Sequence, residues 1–151
     1  MRQRYGTALG IAAAVITADL LTKRHAANSF AGDRVELIPG FLELTYTENP
    51  GAAFSLFPDA GPWIGVIAIA ISAFILGSLR VERPRFEVVA LGLVLGGALG
   101  NVVDRIFRGD GFLDGKVIDW IDLWWIPTFN VADASVTTAV ALLLIYTWRT
   151  R

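Results

Sequence analysis

The chain has 151 residues, of which 54% are hydrophobic and only 18% charged, and its formal net charge is -1. This length suits one domain, and the apolar bias exceeds that of an ordinary soluble domain and indicates a membrane protein. The near-neutral charge gives no reason to expect a nucleic-acid partner. There is no cysteine, and the one histidine is His25, so disulfides and thiolate metal sites are excluded and Ser-His-Asp catalysis is poorly supported.

Four apolar segments are long enough, or nearly so, to cross a bilayer, which takes about 20 residues. They are residues 7–22, 61–79, 86–107 and 129–148. A signal peptide is the alternative for the first segment, because "MRQR" resembles a basic leader, but no clean cleavage site follows it. We therefore predict an all-α membrane protein with four transmembrane helices in a single membrane domain, residues 1–151.

Charged residues predict the orientation. Arginines concentrate at both ends of the chain and in the turn at residues 80–85, whereas the long connections at 23–60 and 108–128 are rich in acids. Cytoplasmic loops carry an excess of Lys and Arg, so we expect both termini in the cytoplasm and two acidic loops outside. Residues 41–47 alternate apolar and polar side chains, as a strand does, and "VELI" can pair with them. This predicts a small β platform in the first extracytoplasmic loop.

The third segment contains "GLVLGGALG", in which Gly92, Gly96 and Gly100 are four residues apart. Small residues at this spacing form a helix face that another transmembrane helix can approach closely. A phosphate-binding loop would instead follow a strand and end in Gly-Lys-Ser/Thr. We interpret the glycines as a packing face.

Two Asn-x-x-Asp pairs follow, Asn101 with Asp104 and Asn130 with Asp133. Residues three apart share a helix face, and the third and fourth segments run in opposite directions, so the two carboxylates come to similar depth. A carboxylate at the centre of a transmembrane helix costs about 2.5–3.5 kcal/mol, which makes two of them noteworthy. Close carboxylates share a proton, and such a pair suits aspartic proteolysis, in which one activates water and the other polarises the scissile carbonyl.

Less specific interpretations of these acids stay open. Asp104 could pair with Arg105 or Arg108, and Asp133 could stabilise the start of its helix. A Mg²⁺ or Ca²⁺ site is a further option, although no other acids converge. Proteolysis by a serine and a lysine is poorly supported, because both lysines are expected at or beyond the outer interface and neither Ser55 nor Ser135 has an evident base.

Asp19, near the end of the first segment, is either part of a structural cluster with Thr22 and Lys23 or part of the site. A second class of function is a small transporter or proton relay that uses Asp19, Asp104 and Asp133. All three acids are expected near one face of the membrane, whereas a relay has to cross its middle. A third option is an assembly subunit without catalysis.

Four motifs, in order and over nearly the whole chain, resemble those of the bacterial lipoprotein signal peptidase family (signal peptidase II), a family of aspartic intramembrane peptidases. They are Asp19 with Thr22 and Lys23, "NPGAAFS" at 49–55, "GNVVDR" at 100–105 and "FNVAD" at 129–133. The chain departs from the family at Trp120 in "VIDW", where a phenylalanine is usual. It also departs at residues 109–116, which look longer than the usual connection.

The resemblance implies that Asp104 and Asp133 are the catalytic aspartates. The residues that it implies line or support the substrate site are Asn49, Gly51, Asn101, Arg105, Asn130 and Asp19. The implied substrate is a diacylglyceryl prolipoprotein, cut on the amino side of its lipidated cysteine to release the signal peptide. Membrane lipid and globomycin-type inhibitors are implied partners, and no metal or other cofactor is implied. The implied location is the bacterial cytoplasmic (inner) membrane, as a multi-pass protein with its active site near the outer face.

Overall fold

Within residues 1–51 and 60–150, which the computed structural model describes, the chain forms four helices long and apolar enough to cross a membrane. They are α1 Arg2–Ser29, α2 Gly61–Ser78, α3 Arg85–Phe107 and α4 Val131–Arg149. The predicted helical membrane fold is therefore confirmed. Helix α1 extends past the apolar segment at both ends. Beyond the second end, Lys23 forms an i,i+4 ion pair with Asp19, and both residues are buried inside the bundle.

Helix α3 lies at the centre of the bundle and contacts each of the other three helices. Its glycines allow these close contacts. A Cβ placed at Gly92 would lie 2.9 Å from the carbonyl oxygen of Ala8 in α1, and one at Gly96 would lie 2.7 Å from Val15. Gly100 faces Asp19 of α1 in the same way. The predicted packing face is thus confirmed, and the tight fit brings the polar residues of α1 against α3.

A four-stranded antiparallel sheet in the described part of the chain caps one end of the bundle, here called the sheet end. Its strands, in spatial order, are β1 Val35–Ile38, β2 Leu42–Asn49, β3 Val117–Leu123 and β4 Ile126–Phe129. The predicted hairpin of the first long loop is present as β1 and β2. The platform is not confined to that loop, however, because the second loop contributes β3 and β4.

The pairing of β2 with β3 joins the two long loops. In this register Thr47 lies opposite Asp119 and Asn49 lies opposite Val117. The Thr47 hydroxyl also donates a hydrogen bond to the Asp119 carbonyl oxygen at 3.0 Å. Strand β3 leads through β4 directly into α4. The sheet therefore carries polar residues of both loops to the ends of α3 and α4 that lie at the sheet end.

Candidate active site

A cavity of about 720 Å³ lies at the sheet end, between α2, α3, α4 and the sheet. Its wall is mostly apolar, with Ile64, Val102 and Phe129 among the lining residues. The polar side chains that line it are Asn49, Asn101, Arg105, Asp119, Thr128, Asp133, Thr137 and Thr138. Among the described lining residues, the acids are Asp119 and Asp133, which we call the acid pair.

The start of α4 positions Asp133. Asn130 is the N-cap, and its side-chain oxygen accepts a hydrogen bond from the Asp133 N–H at 2.9 Å. In return, the Asn130 N–H donates to Asp133 Oδ2 at 3.3 Å, which completes a capping box. Asn101 Nδ2 donates to the other oxygen, Oδ1, at 2.8 Å. Both carboxylate oxygens of Asp133 therefore accept hydrogen bonds from N–H donors.

Strand β3 positions Asp119, whose residue is 4% exposed. Asn130 Nδ2 donates to its Oδ1 at 2.7 Å, and Asn49 Nδ2 donates to its Oδ2 at 3.1 Å. Burial, and to a smaller extent the neighbouring charge of Asp133, raise the pKa of Asp119, while the hydrogen bonds from the two amides lower it, and the net pKa is about 7. Asp119 can therefore hold a proton near neutral pH.

Asp104 does not line this cavity and is bound by two cations instead. Its Oδ2 lies 2.8 Å from Lys23 Nζ, and its Oδ1 lies 2.7 Å from Arg108 Nε. The backbone N–H of Ile118 also donates to Oδ2 at 3.3 Å. The pairing with Arg108, which the sequence left open, is present. These contacts occupy both oxygens of a carboxylate that is 1% exposed.

Lys23 joins α1 to α3. Its fully buried ammonium lies 2.6 Å from Asp19 Oδ2 and 2.8 Å from Asp104 Oδ2. It also donates to Asn101 Oδ1 at 2.9 Å. Asp19 Oδ1 in turn accepts from the backbone N–H of Ala132 at 2.9 Å. We call Asp19, Lys23 and Asp104 the lysine cluster. Lys23 is buried inside the bundle, where the two acids and the amide compensate its charge.

Arg105 holds the loops around the cavity. Its Nη2 donates to the Gly51 carbonyl oxygen at 2.9 Å, and its Nη1 donates to the Gly115 carbonyl oxygen at 3.4 Å. Asn49 Oδ1 accepts from the Gly51 N–H at 3.0 Å, which turns the chain at this point. The remainder of "NPGAAFS", including Ser55, lies outside the described residues.

The comparisons with known proteins agree with this architecture. A family model described as "Signal peptidase (SPase) II" matches residues 11–149 of the chain. The chain belongs to the signal peptidase II family. It is therefore a peptidase and a multi-pass bacterial membrane protein, and the resemblance inferred from its motifs is confirmed.

Relatives in the family are similar over most of their length. The lipoprotein signal peptidase of Rhodococcus jostii (strain RHA1) is 41% identical over 138 residues, which cover 91% of this chain and 70% of that protein. That of Sulfurihydrogenibium sp. (strain YO3AOP1) is 35% identical, with 100% and 98% covered. A bacterial membrane enzyme structure solved by the in meso method at 2.3 Å resolution superposes with a TM-score of 0.84 at 33% identity, covering 95% of this chain and 88% of that one.

Two features of this signal peptidase II were not predicted from its sequence. Asp119 was not selected as a site residue, although it precedes "FNVAD" by one short hairpin. The signal in the sequence is that Asp119 lies between Ile118 and Trp120 in an apolar stretch. An acid in such a stretch is buried at an energetic cost, which indicates a function. The sequence also predicts no role for residues 109–116. Leu113 of this segment is 3% exposed and packs near Gly65 of α2, so the segment closes the bundle beside the cavity.

The alternative functions receive little support from this geometry. Asp19 and Asp104 share one lysine at the sheet end, so they do not form a relay across the membrane with Asp133. The Ser135 hydroxyl donates to the carbonyl oxygens of Ala132 and Leu93, at 2.7 and 3.2 Å, rather than to a base. In the described ranges, no three His, Cys, Asp or Glu residues are close enough together to hold a metal ion.

Proposed function

We propose that this signal peptidase II is an intramembrane aspartic endopeptidase whose catalytic pair is Asp119 and Asp133. Family membership makes cleavage of lipoprotein signal peptides its activity. The observation that carries the choice of residues is that these two acids line one cavity and share Asn130. The sequence-based pair of Asp104 and Asp133 stays testable, but the two cations that bind Asp104 argue for a supporting role.

The donors around each acid suggest how the proton is shared. Asp133, with N–H donors on both oxygens, is the charged member and the general base. It removes a proton from a water molecule whose oxygen attacks the scissile carbonyl carbon. Asp119 enters the reaction protonated and donates a hydrogen bond to the carbonyl oxygen as negative charge develops there. The proton on Asp133 then passes to the leaving amine, the C–N bond breaks, and the pair returns to one proton.

The surroundings of the acid pair fit a lipid-anchored peptide. The proposed substrate is a prolipoprotein whose cysteine carries diacylglycerol, with cleavage on the amino side of that cysteine. The apolar wall at Ile64, Val102 and Phe129 suits an apolar signal segment next to the scissile bond. Asn49, Asn101, Arg105 and the Gly51 turn would hold the loops and the pair around it. Globomycin-type inhibitors would compete for the same cavity.

The proposed orientation follows the arginine distribution. Both termini would face the cytoplasm, and the sheet end would lie at the outer face of the bacterial cytoplasmic (inner) membrane. A substrate held in the membrane by its lipid would then present the scissile bond at the depth of the acid pair. The surrounding membrane lipid is thus a partner that fixes the approach of the substrate.

The test is cleavage of a synthetic diacylglyceryl prolipoprotein by the purified full chain, with the products identified by mass spectrometry. We expect Asp119→Asn and Asp133→Asn each to lower the rate at least about 10³-fold. Asp122→Asn is the matched control, because Asp122 lies on the same strand but does not line the cavity, and it should leave the rate unchanged. Near-normal cleavage by a folded Asp119→Asn variant would overturn the proposed pair.

A further inference from the structure

A second cavity, of about 920 Å³, lies at the end of the bundle opposite the acid pair. The first turn of α1, the turn between α2 and α3, and the first turn of α3 form its walls. Arg4 of this cavity and Lys23 of the lysine cluster lie on the same helix, separated by a rise of about 28 Å. That distance is close to the hydrocarbon thickness of a bilayer, about 30 Å. The cavity therefore lies at the second membrane interface.

Three arginines and one acid line this cavity among the described residues. Arg83 already pairs with Glu87, at 3.0 Å. Arg4 and Arg85 have no carboxylate within ion-pair distance in the described part of the chain, and Glu82, the lining acid, is exposed and likewise unpaired there. Two cations thus face the cavity without a counter-ion from the described residues.

Arg4 also carries an unsatisfied donor. Its Nη1 atom is buried and has no hydrogen-bond partner among the described residues. A buried donor without an acceptor is unfavourable, the more so when it carries charge. A turn of the side chain toward the cavity would let this nitrogen meet an acceptor there, and the charge of the guanidinium favours an anion.

Two helix N-termini add to the positive potential. Helices α1 and α3 both begin at this cavity, and neither has a side-chain cap; the first turn of α3 carries one acid, Glu87, which pairs with Arg83. The N–H groups of the first turn have no partner inside the helix, and the positive end of the helix dipole lies there. Such an end binds phosphate well when cationic side chains are close by. The cavity thus combines free arginines, a buried unsatisfied guanidinium nitrogen and two uncapped helix starts.

We propose that this cavity binds the phosphate group of an anionic phospholipid headgroup. Arg4 and Arg85 contact the phosphate oxygens, and the first-turn N–H groups of α1 and α3 add further donors. Val88 and Val89 form an apolar wall against which the glycerol and the first methylenes of the lipid pack. A phospholipid is favoured over free phosphate because the cavity is much larger than that ion and lies at the depth of the lipid headgroups.

The test is native mass spectrometry of the full chain in neutral detergent, titrated with dihexanoyl phosphatidylglycerol or dihexanoyl phosphatidylcholine. Neutral micelles have no charged surface, so general attraction to an anionic membrane does not contribute. We expect tighter binding of phosphatidylglycerol, and we expect Arg4→Gln to weaken that binding by at least about tenfold. Peptidase activity of this variant should stay unchanged, because Arg4 is far from the acid pair.

Arg2→Gln is the matched control, because Arg2 begins the same helix, is exposed and does not line the cavity. Equal loss in both variants, or equal binding of the two lipids, would overturn the proposal. Titration with glycerol 3-phosphate distinguishes a lipid headgroup from a soluble phosphate as the ligand. If glycerol 3-phosphate binds as tightly as the lipid, the assignment to a lipid headgroup is overturned and the cavity is a site for soluble phosphate. If Arg4→Gln does not fold, Arg85→Gln has to cause the same loss for the proposal to stand.

Discussion

Two groups of buried acids lie next to each other at the sheet end and differ in what surrounds them. In the lysine cluster, Asp19 and Asp104 share the ammonium of Lys23. In the acid pair, the asparagine amides are the principal donors, and both acids line the cavity. A cation compensates the charge of a buried carboxylate and fixes its position, whereas an amide donates a hydrogen bond without neutralising the charge. Acids at similar depth can therefore serve structure in one group and proton transfer in the other.

The two groups should differ most in how far the protein is destabilised when one acid of each group is replaced by asparagine. Asp104→Asn leaves Lys23 with one acid and Arg108 with none, and we expect it to lower the free energy of unfolding by about 3 kcal/mol. Asp119→Asn removes an acid that burial already disfavours in its charged form, so we expect a change within about 1 kcal/mol. Thermal unfolding of both variants in the same detergent measures the difference. Equal destabilisation would mean that the two groups do not differ in this way.

Lys23→Met tests whether the lysine cluster also positions the acid pair. Lys23 has only donors, so it fixes the oxygen of Asn101 toward itself and the amide nitrogen toward Asp133. Without Lys23 the Asn101 oxygen keeps only the longer hydrogen bond from Asn130 Nδ2, at 3.2 Å, so the Asn101 side chain is held less firmly. We expect kcat to fall by about 10²-fold with little change in KM. Steady-state kinetics on the lipopeptide separate the two parameters.

A purely structural role for Lys23 gives a different result. Lys23→Met would then lower the melting temperature and the amount of active enzyme, while the kcat of the folded fraction stayed normal. Lys23→Arg is the conservative variant, since it keeps both the charge and a donor for Asn101. Partial recovery of kcat in Lys23→Arg would support the positioning role.

The pH dependence should follow Asp119. Its pKa is raised, mainly by burial, to a net value of about 7, so the carboxyl is protonated below that pH and loses its proton above it. We expect the cleavage rate to fall by about tenfold per pH unit on the alkaline side. Because the pKa is raised relative to the unfolded chain, the contribution of this group to stability is fully present below about pH 4 and is lost as pH rises through about 7. A flat rate profile from pH 6 to 9 would contradict the assignment of the proton to Asp119.

The smallest expected effect is a shift, in the Asn49→Ala variant, of the pH at which the cleavage rate begins to fall on the alkaline side. The Asn49 amide donates a hydrogen bond to Asp119 and lowers the pKa of Asp119. Removal of the amide should therefore raise that pKa and move the alkaline decline of the rate to higher pH. The rate at low pH should change much less. Thr47→Ser is the control, because Thr47 lies opposite Asp119 in the pairing of β2 with β3 and serine keeps the hydroxyl. We expect no shift of the pH–rate profile in this variant.

The helical part of the fold was predictable, while half of the sheet was not. Apolar length indicated the four helices, and the alternation in residues 41–47 indicated β2. Strand β3 lacked this signal because Val117, Ile118 and Asp119 are buried in succession, so no period of two marks it. The apolar segment at 7–22 marked only part of helix α1, because hydropathy falls at the charged residues on either side of it, whereas in the folded chain Lys23 is paired with Asp19.

The sequence by itself determined the membrane class, the family motifs and the capping box that fixes Asp133 at the start of α4. Spacing along a helix gives the depth of a side chain, and on depth alone Asp104 and Asp133 looked like partners. Only the tertiary structure decided which acids face one cavity, because that depends on how the helices are rotated and on the register of two distant strands. The glycine-mediated contact of α1 with α3 binds Asp104 to Lys23, and the pairing of β2 with β3 brings Asp119 to Asn49 and to the cavity that Asp133 lines.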